Sequence, residues 1–349
     1  MCNCKEKIAI VIDNAFGAGG TERVLSNMSL MLSDKYDIDI YSISSGRDAF
    51  YDFGTSNIIS NKKGYLRSLF FVIKEINNKK YKAVFLITMG RLSCLFGLLS
   101  LLISTGGNKI YSCEHVSYES YPFYVRFLKC LTSFLYDGIV VLTDSNSTWI
   151  KRRSNTKVYV IPNEAPYIEM NKKFVLRKKA IFVGRLAKQK RVDLLLEYWK
   201  LFKEKDRHNW QLEIIGDGKN RDTLEDISNT LGLSSSVFFK GHQSDMEKVY
   251  NEANILLMTS EYEGFPMVLL EAQAYGLPCI ALDCPTGPKE IIENGKSGFV
   301  VQSKKDFVEC LYKISSDEIL LEKMSLASLE NIKRFSHSEI RDKWLEIIG

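Results

Sequence analysis

Short unbroken aliphatic runs, each closed by a glycine-rich or polar loop and followed by apolar positions at three- and four-residue steps, make the repeating unit of this chain. The first run is IAIVI at 8–12, then a loop through Gly17, Gly19 and Gly20, then Val24, Leu25, Met28, Met31 and Leu32 at helical spacing. Strand-like runs return at 38–43, 83–88, 109–113 and 138–142, with helical stretches between several of them, and a short one at 158–161 stops at Pro162. From 164 to 173 periodicity is lost and the chain turns polar, which marks a linker. The same grammar then restarts, with strands expected at 180–183, 211–215, 237–239, 255–258 and 278–282. Alternation of this kind predicts an α/β protein, with parallel sheets covered by helices. The expected architecture is two doubly wound, Rossmann-like domains facing across a cleft, at 1–163 and 164–335. A terminal helix is expected at 336–349, with Ile340, Trp344 and Ile347 on one face, and composition leaves open whether it packs back on the first domain.

Composition changes this picture little. Length of 349 residues suits two domains, and 45% apolar with 26% charged residues is ordinary for a globular chain. Eight cysteines lie scattered without zinc-ligand spacing, and the start MCNCKEK lacks the apolar stretch of a secretory signal, so free thiols in a reducing cytoplasm are expected. The most apolar run, 92–103, is far short of the roughly 20 residues that cross a bilayer, and predicts a buried helix. Charge is uneven. Residues 1–163 hold 20 of the 47 Lys+Arg and 13 of the 42 Asp+Glu, a balance of +7, which leaves −2 for the remainder. A basic first half suits an anionic partner such as a membrane surface, and no nucleic-acid motif accompanies it.

In doubly wound domains, ligands meet the loops that leave the carboxyl ends of strands, where helix N-termini present unpaired N–H groups. Three such junctions carry chemistry. The segment Glu263-Gly264-Phe265-Pro266-Met267 leads from a strand into a helix, with Pro266 expected in its first turn, where a missing N–H costs nothing, and Glu271 further along that helix. A carboxylate there can accept hydrogen bonds from a ribose diol, and its apolar neighbours make it costly unless partnered. The second junction, Gly184-Arg185 to Lys190, sets two cations at a helix start, which favours a bound anion such as a diphosphate. The third is the glycine loop at 17–23, whose spacing is not that of a dinucleotide fingerprint.

Taken in order, GAGGTER (17–23), EH (114–115), IPN (161–163), GRLAKQK (184–190), EGFPMVLLE (263–271) and GPKEIIENGKSGFVV (287–301) resemble the retaining glycosyltransferases of the GT-B fold, family 4, across essentially the whole chain. The resemblance implies that Arg185 and Lys190 hold the donor diphosphate and stabilise the departing nucleotide, as catalytic groups. It implies that Glu271 binds the ribose, and that Glu263, with Gly264 and the amides near Phe265, Pro266 and Met267, contacts the donor sugar. Gly184 belongs to the same donor site. His115 would hydrogen-bond a sugar hydroxyl near the reacting centre. Gly17, Gly19 and Gly20 would line the cleft. Attack on the face from which the leaving group departs, with the diphosphate taking the proton, needs neither a cofactor nor an essential metal.

The implied activity is transfer of a hexose-type sugar, on family frequency from a UDP-sugar, to a glycan acceptor carried on a lipid at the cytoplasmic face of the membrane. Surface polysaccharide assembly is the expected setting. The basic half, with Lys62, Lys63, Lys79, Lys80 and Lys82 and the aromatic-basic segment 121–136, is the motive for a peripheral membrane location. A nucleotide-sugar epimerase of the same fold and a non-catalytic scaffold are the competing readings. Intact Arg185, Lys190, Glu263 and Glu271 argue against the scaffold. Asp37-Ile-Asp39 spells a metal-binding D-x-D pattern, but far from the donor motifs, and is expected to be a solvated strand flank.

Overall fold

A computed structural model describes residues 5–118, 121–166 and 173–349. Most of the expected linker, 167–172, lies outside the described residues, as do Cys2 and Cys4. The chain divides into two compact units, one of 1–164 with 337–349 and one of 165–336.

The first unit is built on seven parallel strands: β1 (Glu6–Ile12), β2 (Tyr36–Ser42), β3 (Asn57–Ser60), β4 (Ala83–Thr88), β5 (Ile110–Glu114), β6 (Gly138–Val141) and β7 (Val158–Val160). They lie in the order β3-β2-β1-β4-β5-β6-β7. The central strands are buried on both faces, which is why their sequences are continuous aliphatic runs. One face packs on α1 (Gly20–Leu32), through Leu25, Met28 and Leu32, and on the C-terminal helix His337–Ile348. Trp344 of that helix meets Phe85 edge to face at 5.3 Å, and Arg341 pairs with Asp34 at 2.6 Å. The other face packs on α2 (Tyr65–Asn78) and α3 (Arg91–Ser100). Next to α3 lies α4 (Phe123–Ser133), and α5 (Asp144–Lys151) follows β6.

The second unit repeats the plan with six parallel strands: β8 (Lys179–Val183), β9 (Gln211–Ile215), β10 (Val237–Gly241), β11 (Ile255–Met258), β12 (Cys279–Leu282) and β13 (Gly298–Val301). Their order is β10-β9-β8-β11-β12-β13. Its core joins the sheet to α6 (Val192–Lys205), including Trp199 and Phe202, and to α11 (Lys304–Ser316) through Phe307 and Leu311. The intervening helices are α7 (Arg221–Thr230), α8 (Met246–Asn251), α9 (Met267–Ala274) and α10 (Pro288–Ile291), with α12 (Glu318–Asn331) and the terminal α13 (His337–Ile348) closing the chain.

Four local expectations need correction. Strands β3 and β13 were not anticipated; β3 is an edge strand of largely exposed residues, and β13 hides in the motif stretch that follows α10. The apolar run 92–103 is only half buried: Leu92 and Phe96 face the core, while Leu98, Leu101 and Leu102 are exposed. Pro266 precedes α9 instead of opening its first turn. Asp39 is not solvated. It sits inside β2, buried, and accepts hydrogen bonds from Tyr81 (2.6 Å), Asn57 (3.3 Å) and Lys79 (3.4 Å). Burial works against its charge, but these donors outweigh it and hold the carboxyl below its ordinary range. The six described cysteines are free thiols, Cys94, Cys113, Cys279 and Cys284 among them buried. Among the described residues no helix is long and apolar enough to cross a membrane.

Candidate functional site

Strand order reverses between β8 and β11 in the second unit and between β1 and β4 in the first. At such a reversal the two flanking loops diverge to opposite faces and leave a crevice beyond the strand ends. In the second unit those loops are 184–191 and 259–266, the two strongest motifs of the sequence.

They are laced together. Gln189 Nε2 donates to the Tyr262 carbonyl (2.7 Å), Glu261 N–H donates to the Gln189 carbonyl (2.9 Å), and Thr259 Oγ1 donates to the carbonyls of Lys190 (3.2 Å) and Arg191 (2.9 Å). A single 3₁₀ turn, Lys188–Lys190, and a left-handed Arg191 aim the Lys190 side chain back along the loop. Its ammonium meets Glu263 Oε1 at 2.6 Å, with both side chains largely buried. Arg185, by contrast, is exposed, and among the described residues no side-chain partner engages its guanidinium. Glu263 is fixed further by a third loop: its N–H donates to the Pro285 carbonyl and its own carbonyl accepts from the Thr286 N–H.

Helix α9 begins at Met267, so the N–H groups of Met267 and Val268 head the helix, where no preceding turn supplies carbonyls. Glu271 lies one turn in, 9% exposed, and accepts a hydrogen bond from Tyr250 Oη at 2.6 Å. Tyr250 comes from α8 and stacks on Tyr275 with ring centroids 5.2 Å apart. Burial of Glu271 therefore comes with the partner that its apolar neighbours demanded. Nothing in the sequence pointed to Tyr250, because it lies 21 positions away on a separate helix.

Gly184 and Gly264 complete this set, and the reason for one further glycine is steric. Gly216 follows β9 with φ of +129°, and a Cβ there would lie 2.0 Å from the Gly184 carbonyl oxygen. The loop Gly216-Asp217-Gly218 thus presses against the backbone of the Arg185 loop, and Leu186 N–H donates to the Asp217 carbonyl (2.9 Å). The signal for this second glycine turn in the sequence is that it closes the aliphatic run of β9.

The remaining predicted residues belong to the first unit. Gly17, Gly19 and Gly20 follow β1 and enter α1; the Glu22 carboxylate folds back over them, close enough that a Cβ on Gly17 or Gly19 would require it to move. Asp13, at the start of that loop, accepts a hydrogen bond from Tyr65 at 2.5 Å, and Arg91 stacks over the Tyr65 ring at 4.2 Å. Burial holds Asp13 above its ordinary carboxyl range despite Tyr65 and Arg91, and nearby Glu22 adds to the rise.

His115 leaves β5 with its N–H on the Thr88 carbonyl (3.2 Å). Burial lowers its imidazole to about 4, so the ring is neutral at physiological pH, and among the described residues Nε2 has no hydrogen-bond partner. The preceding Glu114 is 2% exposed and paired at 2.5 Å with the equally buried Lys129 of α4. Ser112 donates to Glu114 (2.8 Å), Lys129 donates to Ser93 (2.9 Å), and the ammonium lies 5.1 Å from the Tyr121 ring centre. This polar core beneath His115 was not anticipated, because its members are dispersed from 93 to 129.

Comparison with known proteins accords with this layout. A family model described as glycosyl transferases group 1 matches residues 167–330. The amylovoran biosynthesis glycosyltransferase AmsD of Erwinia amylovora is 34% identical over 98% of this chain and 99% of its own length. Among solved structures, the lipopolysaccharide outer core galactosyltransferase WaaB is 25% identical, covers 98% of this chain and 99% of its own, and superposes with a TM-score of 0.78. Anabaena Alr3699/HepE in complex with UDP-glucose is similar in fold alone, at 16% identity, with a TM-score of 0.78 over 97% of this chain and 98% of its own. On its likeness to AmsD over nearly the full length of both proteins, and on the match of its second unit, the chain belongs to the group 1 glycosyltransferases and has their GT-B fold.

Proposed function

We propose that this glycosyltransferase moves a hexose-type sugar from a UDP-sugar to a hydroxyl of a lipid-linked glycan, with retention of anomeric configuration, during assembly of a surface polysaccharide. The observation that carries the reading is the lacing of two cationic and carboxylate loops at the strand reversal of the second unit, with Glu271 held one helical turn away. That arrangement suits a nucleoside diphosphate. Arg185 supplies a guanidinium with donors to spare, Lys190 an ammonium with N–H groups beyond the one on Glu263, and Glu271 a carboxylate for the ribose hydroxyls. Gly264 and the amides near Phe265 and Met267 sit beside Glu263, where the donor sugar would lie. UDP is chosen because HepE, similar in fold, holds UDP-glucose, and the polysaccharide setting follows AmsD and WaaB, whose names place them in amylovoran and lipopolysaccharide synthesis.

In this mechanism the acceptor hydroxyl attacks the face from which the diphosphate leaves, and the diphosphate oxygen takes its proton. Charge grows on the leaving group, so Arg185 and Lys190 contribute most of the rate, and losing such a donor costs roughly a hundredfold to a thousandfold. His115, neutral and with a free Nε2, suits a hydrogen bond to a sugar hydroxyl and not proton abstraction at that low basicity. Gly17, Gly19 and Gly20 leave their loop narrow enough for a sugar or acceptor to approach the backbone. No cofactor and no essential metal enter this scheme, and the protein would act at the cytoplasmic face of the membrane, with no role for nucleic acid.

The test is a panel of UDP-, GDP- and ADP-sugars, scored by thermal shift and by acceptor-dependent nucleotide release, with the product anomer assigned by NMR. Expected are a preference for UDP-sugars, retention, and activity largely unchanged by chelator. Arg185→Ala or Glu271→Ala should abolish transfer with the fold intact; near-normal turnover in both would refute the site. Turnover of donor with no acceptor, giving an epimeric nucleotide sugar, would favour the epimerase.

A further inference from the structure

Helix α4 is inside out. Its buried positions include Lys129, Thr132 and Ser133, while its outward face carries Phe123 (79% exposed), Tyr124 (66%), Phe127 (56%) and Leu131 (48%). A surface helix ordinarily does the opposite. The pattern extends beyond α4. The crossovers β3–α2–β4, β4–α3–β5 and β5–α4–β6 all run the same way across a parallel sheet, so the right-handed rule puts the three helices on one face. They are neighbours there, α2 beside α3 and α3 beside α4. Leu98, Leu101 and Leu102 are exposed at the end of α3, and Leu66 and Phe70 on α2, where they border a shallow groove with Lys63, Arg67 and Lys74. These exposed apolar side chains thus sit on neighbouring helices of one face, where single surface leucines would need no explanation.

Its charge identifies the partner. From 61 to 78 the chain has Lys62, Lys63, Arg67 and Lys74 against one acidic residue, Glu75, which pairs with Lys79 at 3.8 Å, and neither α3 nor α4 contains an acidic residue. A second copy of the chain, docked about a two-fold axis, would set these cations against themselves. A surface that is apolar and negatively charged would satisfy both features. Aromatic and leucine side chains entering the headgroup boundary, with basic residues beside them, are the features of a helix that lies in a membrane interface.

We infer that the outer faces of α2, α4 and the end of α3 form a docking surface for an anionic lipid bilayer. The inference deepens the reading above, since it rests on an acceptor that is carried by lipid, and it assigns membrane contact to residues outside the sugar-transfer machinery.

The test is flotation of the full chain with phosphatidylcholine vesicles, with and without phosphatidylglycerol. Wild type should float with the anionic vesicles only, and less in high salt. Lys63→Gln/Arg67→Gln should weaken binding roughly thirtyfold, since each basic residue at such a surface contributes about a factor of five. Phe123→Ser/Phe127→Ser should abolish it, and both variants should keep wild-type thermal stability and UDP-sugar binding. Unchanged flotation in both variants would overturn the assignment of the face. So would sedimentation showing a dimer that Phe127→Ser dissociates, because the occupant would then be a second copy. Flotation that follows this pattern in a protein unable to use any nucleotide sugar would uphold the docking face and sink the transferase reading alone.

Discussion

Replacing Lys129 by Met should unfold the first unit at markedly lower temperature. The Lys129 ammonium and the Glu114 carboxylate are each 2% exposed and 2.5 Å apart, so each is desolvated and depends on the other. Removing one partner from such a pair leaves an uncompensated buried charge, at about 3–5 kcal/mol. The unit spans residues 1–164 and 337–349, a size at which each kcal/mol lowers Tm by about 2–4 °C, so a shift of roughly 6–20 °C is expected. Adding Glu114→Gln removes the stranded charge while leaving an amide oxygen for the Ser112 hydroxyl, which now bonds Glu114 at 2.8 Å. The double variant should therefore recover at least half of the loss. Differential scanning calorimetry with the four members of the cycle measures this directly. The same variants separate stability from chemistry, because the donor loops lie in the second unit. UDP-sugar binding should persist in Lys129→Met below its transition while transfer falls, since Glu114 adjoins His115. A Tm shift under about 2 °C for Lys129→Met would refute the account of the pair.

Tyr250→Phe removes the 2.6 Å hydrogen bond that orients Glu271, and since a bond to a charged group contributes about 1.5–3 kcal/mol, donor KM should rise roughly ten- to a hundredfold with a smaller change in kcat. Gly216→Ala sets a Cβ 2.0 Å from the Gly184 carbonyl at a φ of +129°, so it should lower both Tm and donor affinity, whereas alanine at Gly232, where the same test meets open space, should disturb donor affinity little. His115 should titrate by NMR near pH 4. Its folded pKa lies below the unfolded value of about 6.5, so the unfolded chain binds more protons in between; the stability of the neutral ring is complete above pH 6.5 and falls as pH drops toward 4, a slope that His115→Gln should lack. Lys190→Ala should lower transfer and stability together, because it deprives buried Glu263 of its partner, while Arg185→Ala lowers transfer alone.

Much of the plan was legible because its physics is local. Central strands such as β1 and β4 are buried on both faces and announce themselves as aliphatic runs, and the helices after them keep their apolar spacing. Edges and interiors were less so. β3 has no buried face to impose a pattern, and β13 hid in a motif stretch weighed for its resemblance alone. The run 92–103 misled for a different reason: hydrophobicity reports that a side chain shuns water, not what will cover it, and Leu98, Leu101 and Leu102 face outward. Asp39, Glu114 and Lys129 were invisible as a class. A charged residue in sequence implies solvent by default, and only the fold can bring the buried partner that overrides it.

The donor-site cations show how the same limit bears on mechanism. In sequence, Arg185 and Lys190 are two positive charges flanking one helix start, and nothing distinguishes their duties. In the fold they are held differently: Lys190 is clamped to Glu263 within a laced loop, and Arg185 stands exposed with its fork of donors unengaged among the described residues. A clamped ammonium is preorganised, and preorganised charge needs no rearrangement as negative charge develops on a leaving group. Its cost is that one of its three N–H donors is already committed to a carboxylate, whose negative charge offsets part of the field a diphosphate would feel. An exposed guanidinium has the opposite balance, a full charge and bidentate geometry but side-chain freedom to lose on binding. In the proposed mechanism the pair would divide the work, Lys190 fixing where the diphosphate sits and Arg185 closing on it. Glu263 links that choice to the sugar, because the carboxylate that positions Lys190 is the one beside the amides proposed to hold the transferred ring.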